Sequence, residues 1–318
     1  MSKKLSKQKL NDIITYGIVI AAFVIMQILI NAGEISSLFQ GLMVPLCTYI
    51  ILAISLNLVV GILGELSLGH AGFMCVGAFT SSFFSKAMQD TITNSTVRFL
   101  LALLIGIITA AIFGIIIGIP VLRLNGDYLA IVTLAFGEII KNLVNVLFIG
   151  KDSKGFHFST KDAVSLNMEP DGKIILNGPQ GITGTPNDST FFIGFILILV
   201  TLFIVLNLIH SRDGRAIMAI RDNRIAAESI GINITKYKLM AFIISAALAG
   251  VAGVLYAHNL ATLTALPKNF GYNQSIMILV FVVLGGIGST RGSMIAAVVL
   301  TLLPELLRGL NDYRMLIY

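Results

Sequence analysis

The sequence predicts an all-α membrane protein, a polytopic transmembrane helical bundle of about nine spans with one Gly-rich broken-helix segment. Of the 318 residues, 56% are hydrophobic and only 12% are charged, and the mean hydropathy is +0.90. A soluble domain carries about 25% charged residues. This composition therefore excludes a soluble enzyme and a disordered chain. The long unbroken apolar runs also disfavour a transmembrane β-barrel, because barrel strands alternate apolar and polar residues.

The spans are delimited by the gaps between charged residues, since a bilayer crossing needs about 20 mostly apolar residues. The first apolar run follows four lysines near the N-terminus, and it is longer than the roughly 7–15 apolar residues of a secretory signal. We treat 1–318 as a single transmembrane domain. The predicted spans are 13–30, about 41–62, 66–85, 99–122, 128–149, 190–209, 237–258, 272–289 and 293 to about 310.

The distribution of Lys and Arg predicts the orientation, because short cytoplasmic loops are enriched in both. A cytoplasmic N-terminus at 1–12 and strict alternation put the basic segment 211–236 inside and the polar segment 150–189 outside. A re-entrant segment near 65–75 would change this parity. The net charge of +6 has the same origin, so we expect membrane lipid and no nucleic acid as a partner.

A glycine-rich segment at 61–73 interrupts the apolar runs. Irregular backbone at membrane depth is tolerated only where it is buried in protein or lines a cavity. Half-helix ends at such a break can offer N–H groups to an anionic substrate group such as a carboxylate. The alternative is close helix packing at small residues, with Glu65 and His70 at the water interface. The candidate residues of the break are Gly64, Glu65, Ser67, Gly69, His70 and Gly72.

Two ionisable residues, Glu138 and Lys141, interrupt the predicted fifth span three residues apart, on one helical face. An intramembrane ionisable residue is a functional candidate by default. The spacing of Glu138 and Lys141 also fits a structural role, in which the two residues neutralise each other and face the bundle interior. We favour this structural interpretation, because no other feature of the sequence indicates a proton relay.

The basic segment 211–231 has apolar residues at 217, 220, 227 and 230, a spacing that predicts one stripe of a short amphipathic helix or helix pair. Gly231 suits the end of such a helix. A short cytoplasmic helix of this kind can dock into a groove of a partner protein. It can also rest on lipid headgroups as an interfacial helix.

Several kinds of chemistry are not indicated. The chain has no G-x-x-x-x-G-K-[ST] phosphate loop, so we expect no ATP on this chain. Its two cysteines, Cys47 and Cys75, have no partner at metal-ligand spacing, so we expect neither a disulfide nor a metal site. No catalytic residues are predicted. A second glycine-rich segment, 284–294, is similar to the first, which indicates either a weak internal repeat or small-residue packing.

Four stretches of the sequence resemble the LivM-type permease subunits of the binding-protein-dependent branched-chain amino acid ABC importers. Together they extend over most of the chain and are quite specific. They are 56–78 with its Gly-Glu-Leu-Ser-Leu-Gly-His-Ala-Gly-Phe core, 126–140 with Gly-Asp-Tyr-Leu-Ala-Ile-Val-Thr-Leu-Ala-Phe-Gly-Glu, 214–232 with Gly-Arg-Ala and Ile-Arg-Asp, and 284–289 with Leu-Gly-Gly-Ile-Gly-Ser.

The resemblance implies a multi-pass permease of the inner or plasma membrane that works by alternating access without covalent chemistry. It implies ATP-binding partner subunits that carry ATP and Mg²⁺, a second and related permease subunit, and an extracytoplasmic binding protein that contacts 150–189. It adds Thr133 and Glu138 to the glycine break as the translocation pathway. It assigns contact with the ATP-binding subunit to Gly214, Arg215, Arg221, Asp222, Ala227, Glu228 and Gly231.

Two rival interpretations follow from the same residues. An ion-coupled secondary amino-acid transporter would use Glu138 or Glu65 as a proton carrier. An intramembrane enzyme would use Glu65 and His70, but their five-residue spacing does not place them squarely on one helical face. The chain ends at Tyr318, where members of the family usually continue into another apolar segment and a basic tail, which leaves the side of the C-terminus open.

Overall fold

The computed structural model describes residues 7–33, 36–122 and 127–306. The first lysines of the chain, Arg123 and Gly126, and the predicted end of the ninth span with Tyr318 lie outside the described residues. The helices are α1 (Lys7–Asn31), α2 (Ser37–Asn57), α3 (His70–Ala87), α4 (Ser95–Val121), α5 (Asp127–Val146), α6 (Phe191–His210), α7 (Arg212–Asp222), α8 (Arg224–Ser229), α9 (Ile234–Ala257), α10 (Pro267–Phe270), α11 (Tyr272–Leu284) and α12 (Thr290–Leu306).

Each predicted span contains a helix. Within the described ranges, six helical segments are long and apolar enough to cross a membrane. The helices α3, α11 and α12 fall below that standard, because α3 is rich in Gly, Ser and Thr, and α11 and α12 have 13 and 17 residues. The protein is therefore a membrane protein with several spanning helices, and the count of about nine crossings stays a prediction.

Several helix boundaries differ from the predicted spans by three to five residues, and three of them mark breaks in the helices. The third helix begins at His70 instead of 66, because 64–69 is not helical. The fifth ends at Val146 and the eighth at Leu284, where Gly285 and Gly286 follow. The positive φ of Gly286, 93°, takes the chain out of the right-handed helical region.

The described residues are mostly helical, as predicted, but they also include five short strands that the all-α prediction did not contain. They are β1 (Phe148–Asp152), β2 (Gly155–Ser159), β3 (Lys173–Asn177), β4 (Ile182–Thr183) and β5 (Thr262–Leu263). The first three form an antiparallel sheet in the order β2-β1-β3, and β4 pairs with β5. The sheet is attached to the end of α3, since Lys86 donates to the Ile174 carbonyl at 3.1 Å and Lys151 donates to the Ala87 carbonyl at 3.0 Å.

The core of the bundle lies around α9, which packs along α2, α3 and α4. Small residues make this close packing possible, as in transmembrane bundles generally. Gly77 of α3 faces Gly250 of α9, and Gly250 also contacts Ala110 of α4. In contrast, α1 exposes most of its apolar side chains, among them Ile18, Ile25 and Ile28.

Candidate coupling and translocation site

The break between α2 and α3 begins with a π-helix, Leu58–Leu63, whose residues are all buried. It ends at Gly64, which has a φ of 80° and so adopts the left-handed conformation that glycine tolerates best. The N–H of Glu65 still reaches back to the Val59 carbonyl at 3.1 Å. Residues 64–69 then run without helical structure until α3 begins at His70.

The backbone groups released by the break find partners on α5 and α11. The N–H of Leu68 donates to the Thr133 hydroxyl at 3.0 Å, and the N–H of Ala71 donates to the Ser275 hydroxyl at 3.1 Å. Gly69 lies against the Thr133 carbonyl, and Gly72 lies against Gly137 of α5. The second half of the break, from Ser67 onward, is thus packed against the bundle, as irregular backbone in a membrane requires, whereas Gly64 and Leu66 are exposed.

His70 is 2% exposed, and its Nε2 lies 2.7 Å from the Ser55 hydroxyl oxygen. The packing alternative expected His70 at the water interface. The structure instead buries this side chain. Ser67 is also buried, and its hydroxyl has no hydrogen-bond partner among the described residues. Because His70 contacts Ser55 and Glu65 pairs elsewhere, the structure does not bring these two side chains together as a catalytic pair.

Glu65 forms a salt bridge with Lys238 of α9, a side chain that is only 5% exposed. Lys238 lies two residues beyond the basic segment 211–236, and its pairing with Glu65 was not predicted from the sequence. A signal was available, because an acidic residue next to an apolar run needs a nearby cation when it is withdrawn from water. The sequence could not show which cation, since the two residues are 173 positions apart.

The coupling segment consists of α7 and α8, residues 212–229. Asn223 separates the two helices, and its side chain accepts the N–H of Ala226 at 3.0 Å, which caps α8. The predicted apolar stripe is confirmed at Ile217, Ile220 and Ala227, all buried. The prediction that Ile230 belongs to the same stripe is wrong, because this residue follows the last residue of α8 and is 76% exposed.

The residues predicted to contact an ATP-binding subunit divide into two groups. Gly214 and Ala227 are buried, and a side chain at 214 would meet the Leu208 carbonyl, so their contribution is to the packing of the segment itself. The other predicted residues are exposed and could reach a partner: Arg215, Arg221, Asp222, Glu228 and Gly231.

Arg221 connects the coupling segment to the glycine break. Its Nη1 donates to the Gly61 carbonyl at 3.0 Å, and its aliphatic stem lies directly against Gly64. Its Nε and Nη2 donate to Asp222 at 3.0 and 2.8 Å. The structure thus brings together two groups of predicted site residues that are about 160 positions apart in the sequence.

The second glycine-rich segment packs on the first. The N–H of Gly288 donates to the buried Asn57 side chain at 2.9 Å, and the backbone of Gly288 lies against Gly61. A side chain at 61 would lie 2.3 Å from the Gly288 nitrogen. The two glycine-rich segments therefore pack on each other, and Asn57, which joins them, is a further residue that was not predicted from the sequence.

Glu138 lies apart from the break, beside the start of α11. It pairs with Lys141, and its Oε1 accepts the N–H of Tyr272 at 2.8 Å. A carboxylate at a helix N-terminus is stabilised by the free N–H groups and by the helix dipole. The pair predicted from the sequence is confirmed, and it is anchored to a second helix.

No metal site is evident where the structure describes the chain: nowhere do three or more His, Cys, Asp or Glu side chains cluster as metal ligands would.

Comparison with known proteins identifies relatives that match most of the chain. Residues 37–318 match the profile of a family described as the permease component of the branched-chain amino acid transport system. The high-affinity branched-chain amino acid transport system permease protein LivM of Salmonella typhimurium is 37% identical over 277 residues, which cover 84% of this chain and 63% of LivM. LivM of Escherichia coli gives the same values.

The corresponding LivH protein of Salmonella typhimurium is 27% identical over 256 residues, 80% of this chain and 79% of LivH. The matched part of this chain spans less than two thirds of the length of the LivM proteins. No solved structure matches the chain.

Proposed function

The chain belongs to the family of branched-chain amino acid transport permeases, and on that basis we propose that it is the membrane-spanning permease subunit of an ATP-driven importer. Its substrates are leucine, isoleucine and valine, the amino acids that the names of its relatives indicate. The chain forms part of the translocation pathway and carries no covalent chemistry. ATP and Mg²⁺ bind to partner subunits.

The observation that supports this proposal best is the double connection between the coupling segment and the glycine break. Arg221 holds the Gly61 carbonyl on one side of Gly64, and Lys238 holds Glu65 on the other. Both cations come from the region 212–238, which also exposes Arg215 and Glu228 to a partner. A movement of that region is therefore passed directly to the backbone of the break.

The mechanism is a shift between two conformations. ATP favours the state in which the ATP-binding subunits are closed together, and it can shift the equilibrium only by its difference in affinity for the two states. The coupling segment moves with the partner subunit as a rigid body. The break, held by Arg221 and Lys238, then reorients and opens the pathway to the other side of the membrane.

The proposal assigns the remaining partners by position. LivM and LivH are both named as permease proteins of one high-affinity transport system, which supports a second, related permease chain as the partner in the membrane. The strand segment 148–183 faces outward in the predicted orientation and receives the extracytoplasmic binding protein. The site of action is the cell membrane.

The experiment is purification of the tagged chain from native membranes in a mild detergent, followed by mass spectrometry of the retained proteins. We expect an ATP-binding subunit and a second permease chain in stoichiometric amounts. Charge reversal by Arg215→Glu and Glu228→Lys should release the ATP-binding subunit. Lys154→Glu, on an exposed side chain of the strand segment, is the matched control and should release nothing on the cytoplasmic side. A chain that purifies alone and transports with an ion gradient would overturn the proposal.

A further inference from the structure

The exposed faces of α5 and α11 differ in composition from those of α4 and α6. Between 100 and 119 on α4, every exposed residue is Leu or Ile, and between 192 and 204 on α6, every exposed residue is Phe, Ile or Val. Such faces suit lipid. On α5 and α11 the exposed residues include two amides, Asn142 and Asn273. The difference indicates that these two helices face something other than lipid.

Each of the two helices exposes one stripe along its length, with the three-, four- and seven-residue spacing of a single helical face. The stripe of α5 consists of Ile131, Ala135, Ile139, Asn142 and Val146, and the stripe of α11 consists of Asn273, Ile276, Val283 and Leu284. On both helices the amide lies in line with apolar residues. The stripes therefore combine packing surface with hydrogen-bonding groups.

The helix α11 begins within the membrane-spanning length of α5. The N–H of Tyr272, its first residue, donates to Glu138 at 2.8 Å, and Glu138 lies eight residues before the last residue of α5. At about 1.5 Å per residue, the start of α11 is about 12 Å from that end. Asn145, near the end, donates to the Ala265 carbonyl at 3.0 Å, so the segment 265–272 runs along α5 into the membrane. Asn273 therefore lies at membrane depth.

The depth and the chemistry of the stripes decide between possible occupants. Lipid tails form no hydrogen bonds, so an exposed amide at this depth is costly unless it faces protein or enclosed water. A soluble partner reaches the helix ends, whereas Asn273 lies about 12 Å from the end of α5. A second membrane-spanning chain meets both conditions, because side-chain amides form hydrogen bonds between transmembrane helices and the apolar residues supply the packing.

We propose that the stripes of α5 and α11 form the face that packs against the second permease chain, with Asn142 and Asn273 in hydrogen bonds across that interface. The inference rests on the proposed function, which supplies this partner, since LivM and LivH are both named as permease proteins of one transport system. It adds which surface of the chain meets the partner.

The helix α5 also connects this face with the glycine break. On its buried side, the Thr133 hydroxyl accepts the N–H of Leu68 at 3.0 Å, and Gly137 lies against Gly72. Ala135, between Thr133 and Gly137 in the sequence, is exposed. One helix therefore separates the break from the partner, and a movement of either permease chain reaches the break through α5.

The experiment is photocrosslinking from introduced cysteines in native membranes. Ile139→Cys and Ile276→Cys place a benzophenone maleimide on the two stripes. Ile108→Cys on α4 and Ile196→Cys on α6 are the matched controls, because these side chains are 55% and 42% exposed, against 58% and 42% at the stripe positions. The two native cysteines are buried, and the unmodified protein measures their reaction.

After irradiation the chain is purified under denaturing conditions, and the joined peptides are identified by mass spectrometry. We expect both stripe positions to join to a permease chain that is related to this one but different in sequence. The two control positions should join to no protein.

A second comparison adds bulk to the interface. Ala135→Phe should lower the amount of the second permease retained in mild detergent about tenfold, because overpacking disturbs a close helix contact. Ala21→Phe, on an exposed alanine of α1, is the matched control and should leave the retained amount unchanged.

Four outcomes would overturn the inference while the ATP-binding subunit and the second permease still purify with the chain. They are no adducts from the stripe positions, equally abundant adducts from the α4 or α6 positions, adducts to a second copy of this chain in place of the related one, and unchanged retention in Ala135→Phe. If neither partner purifies with the unmodified protein, the proposed function fails first and the inference fails with it.

Discussion

Arg221 of α7 donates a hydrogen bond to the carbonyl of Gly61 in the π-helix. The last carbonyl groups of a helix have no partner in the helix itself, and the non-helical stretch that begins at Gly64 leaves Gly61 in that position. A long cation from the coupling segment supplies the missing donor. The hydrogen bond therefore serves the stability of the break and its connection to the coupling segment at the same time.

Replacement of this cation should uncouple transport from ATP hydrolysis. In Arg221→Ala the Gly61 carbonyl loses a charged donor, a contact of about 1.5–3 kcal/mol. We expect the ATP-binding subunit to stay bound, since Arg215 and Glu228 remain, and transport per ATP hydrolysed to fall about tenfold or more. The measurement is uptake and ATPase activity in the same vesicles. Arg212→Ala, on the same helix, is the control, and equal losses in both variants would refute the connection.

The salt bridge between Glu65 and Lys238 should behave as a buried pair. Lys238→Met or Glu65→Gln alone leaves one charge without its partner, which costs about 3–5 kcal/mol for a buried pair. The double variant removes both charges and should recover a large part of that loss. Denaturant unfolding of the four proteins in detergent gives the interaction energy. If the two single losses simply add in the double variant, the pair does not interact.

The close approach of Gly61 to Gly288 leaves no room for a side chain. In Gly61→Ala the new methyl group would lie 2.3 Å from the Asn57 Oδ1 and from the Gly288 nitrogen. Overpacking of this kind costs about 1–3 kcal/mol. We expect a lower melting temperature and weaker transport. Gly41→Ala, on α2 where no atom lies within 4 Å, should be neutral or slightly stabilising. A Gly61→Ala variant as stable as Gly41→Ala would contradict the contact.

The predictable parts of this molecule are those that depend on local sequence. The apolar runs located every spanning helix, and the 217, 220 and 227 positions located the buried stripe of the coupling segment, because both patterns repeat within a few residues. Thr133 was identified only by its resemblance to a family motif. Its contact with the break, through the N–H of Leu68, was not predictable from the spacing of residues.

The parts that escaped prediction depend on long-range pairs. Lys238 and Asn57 meet partners that are far away in the sequence, Glu65 and Gly288. The strands were missed for a similar reason. The sheet is only three strands of five residues each, and β3 joins β1 across the segment 153–172. Strand formation depends on the neighbouring strands as much as on the strand's own residues. The polar composition of this segment therefore gave no local signal for it.

The strand segment should lose stability in acid through Asp152. Its side chain is 1% exposed, and burial opposes ionisation. The N–H groups of Lys154 and Glu169 and the ring of His157, at 2.8, 3.3 and 2.9 Å, outweigh that effect and lower the pKa of Asp152 below its usual range. The folded pKa lies below the unfolded value of about 3.9. The contribution is therefore complete at neutral pH and disappears as the pH falls through the folded pKa.

The measurement for Asp152 is hydrogen exchange of β1 and β2 as a function of pH, corrected for the intrinsic exchange rate. Asp152→Asn should exchange faster at neutral pH and show less change toward acid. Asp171→Asn, on an exposed side chain, should follow the unmodified protein. Identical pH profiles for Asp152→Asn and the unmodified protein would show that this carboxylate does not hold the hairpin.

Glu138 distinguishes the ATP-driven mechanism from the ion-coupled one. In Glu138→Gln the side chain keeps an oxygen for the Tyr272 N–H, but the ammonium of Lys141, a residue only 6% exposed, loses its carboxylate. We therefore expect lower stability, with ATP-driven uptake per folded molecule largely preserved. Glu138→Gln combined with Lys141→Met should recover stability, because no unpaired charge remains. Uptake should also persist when a protonophore removes the proton gradient. If uptake instead requires the gradient and disappears in Glu138→Gln while the protein remains folded, Glu138 carries a proton and the ATP-driven mechanism is wrong.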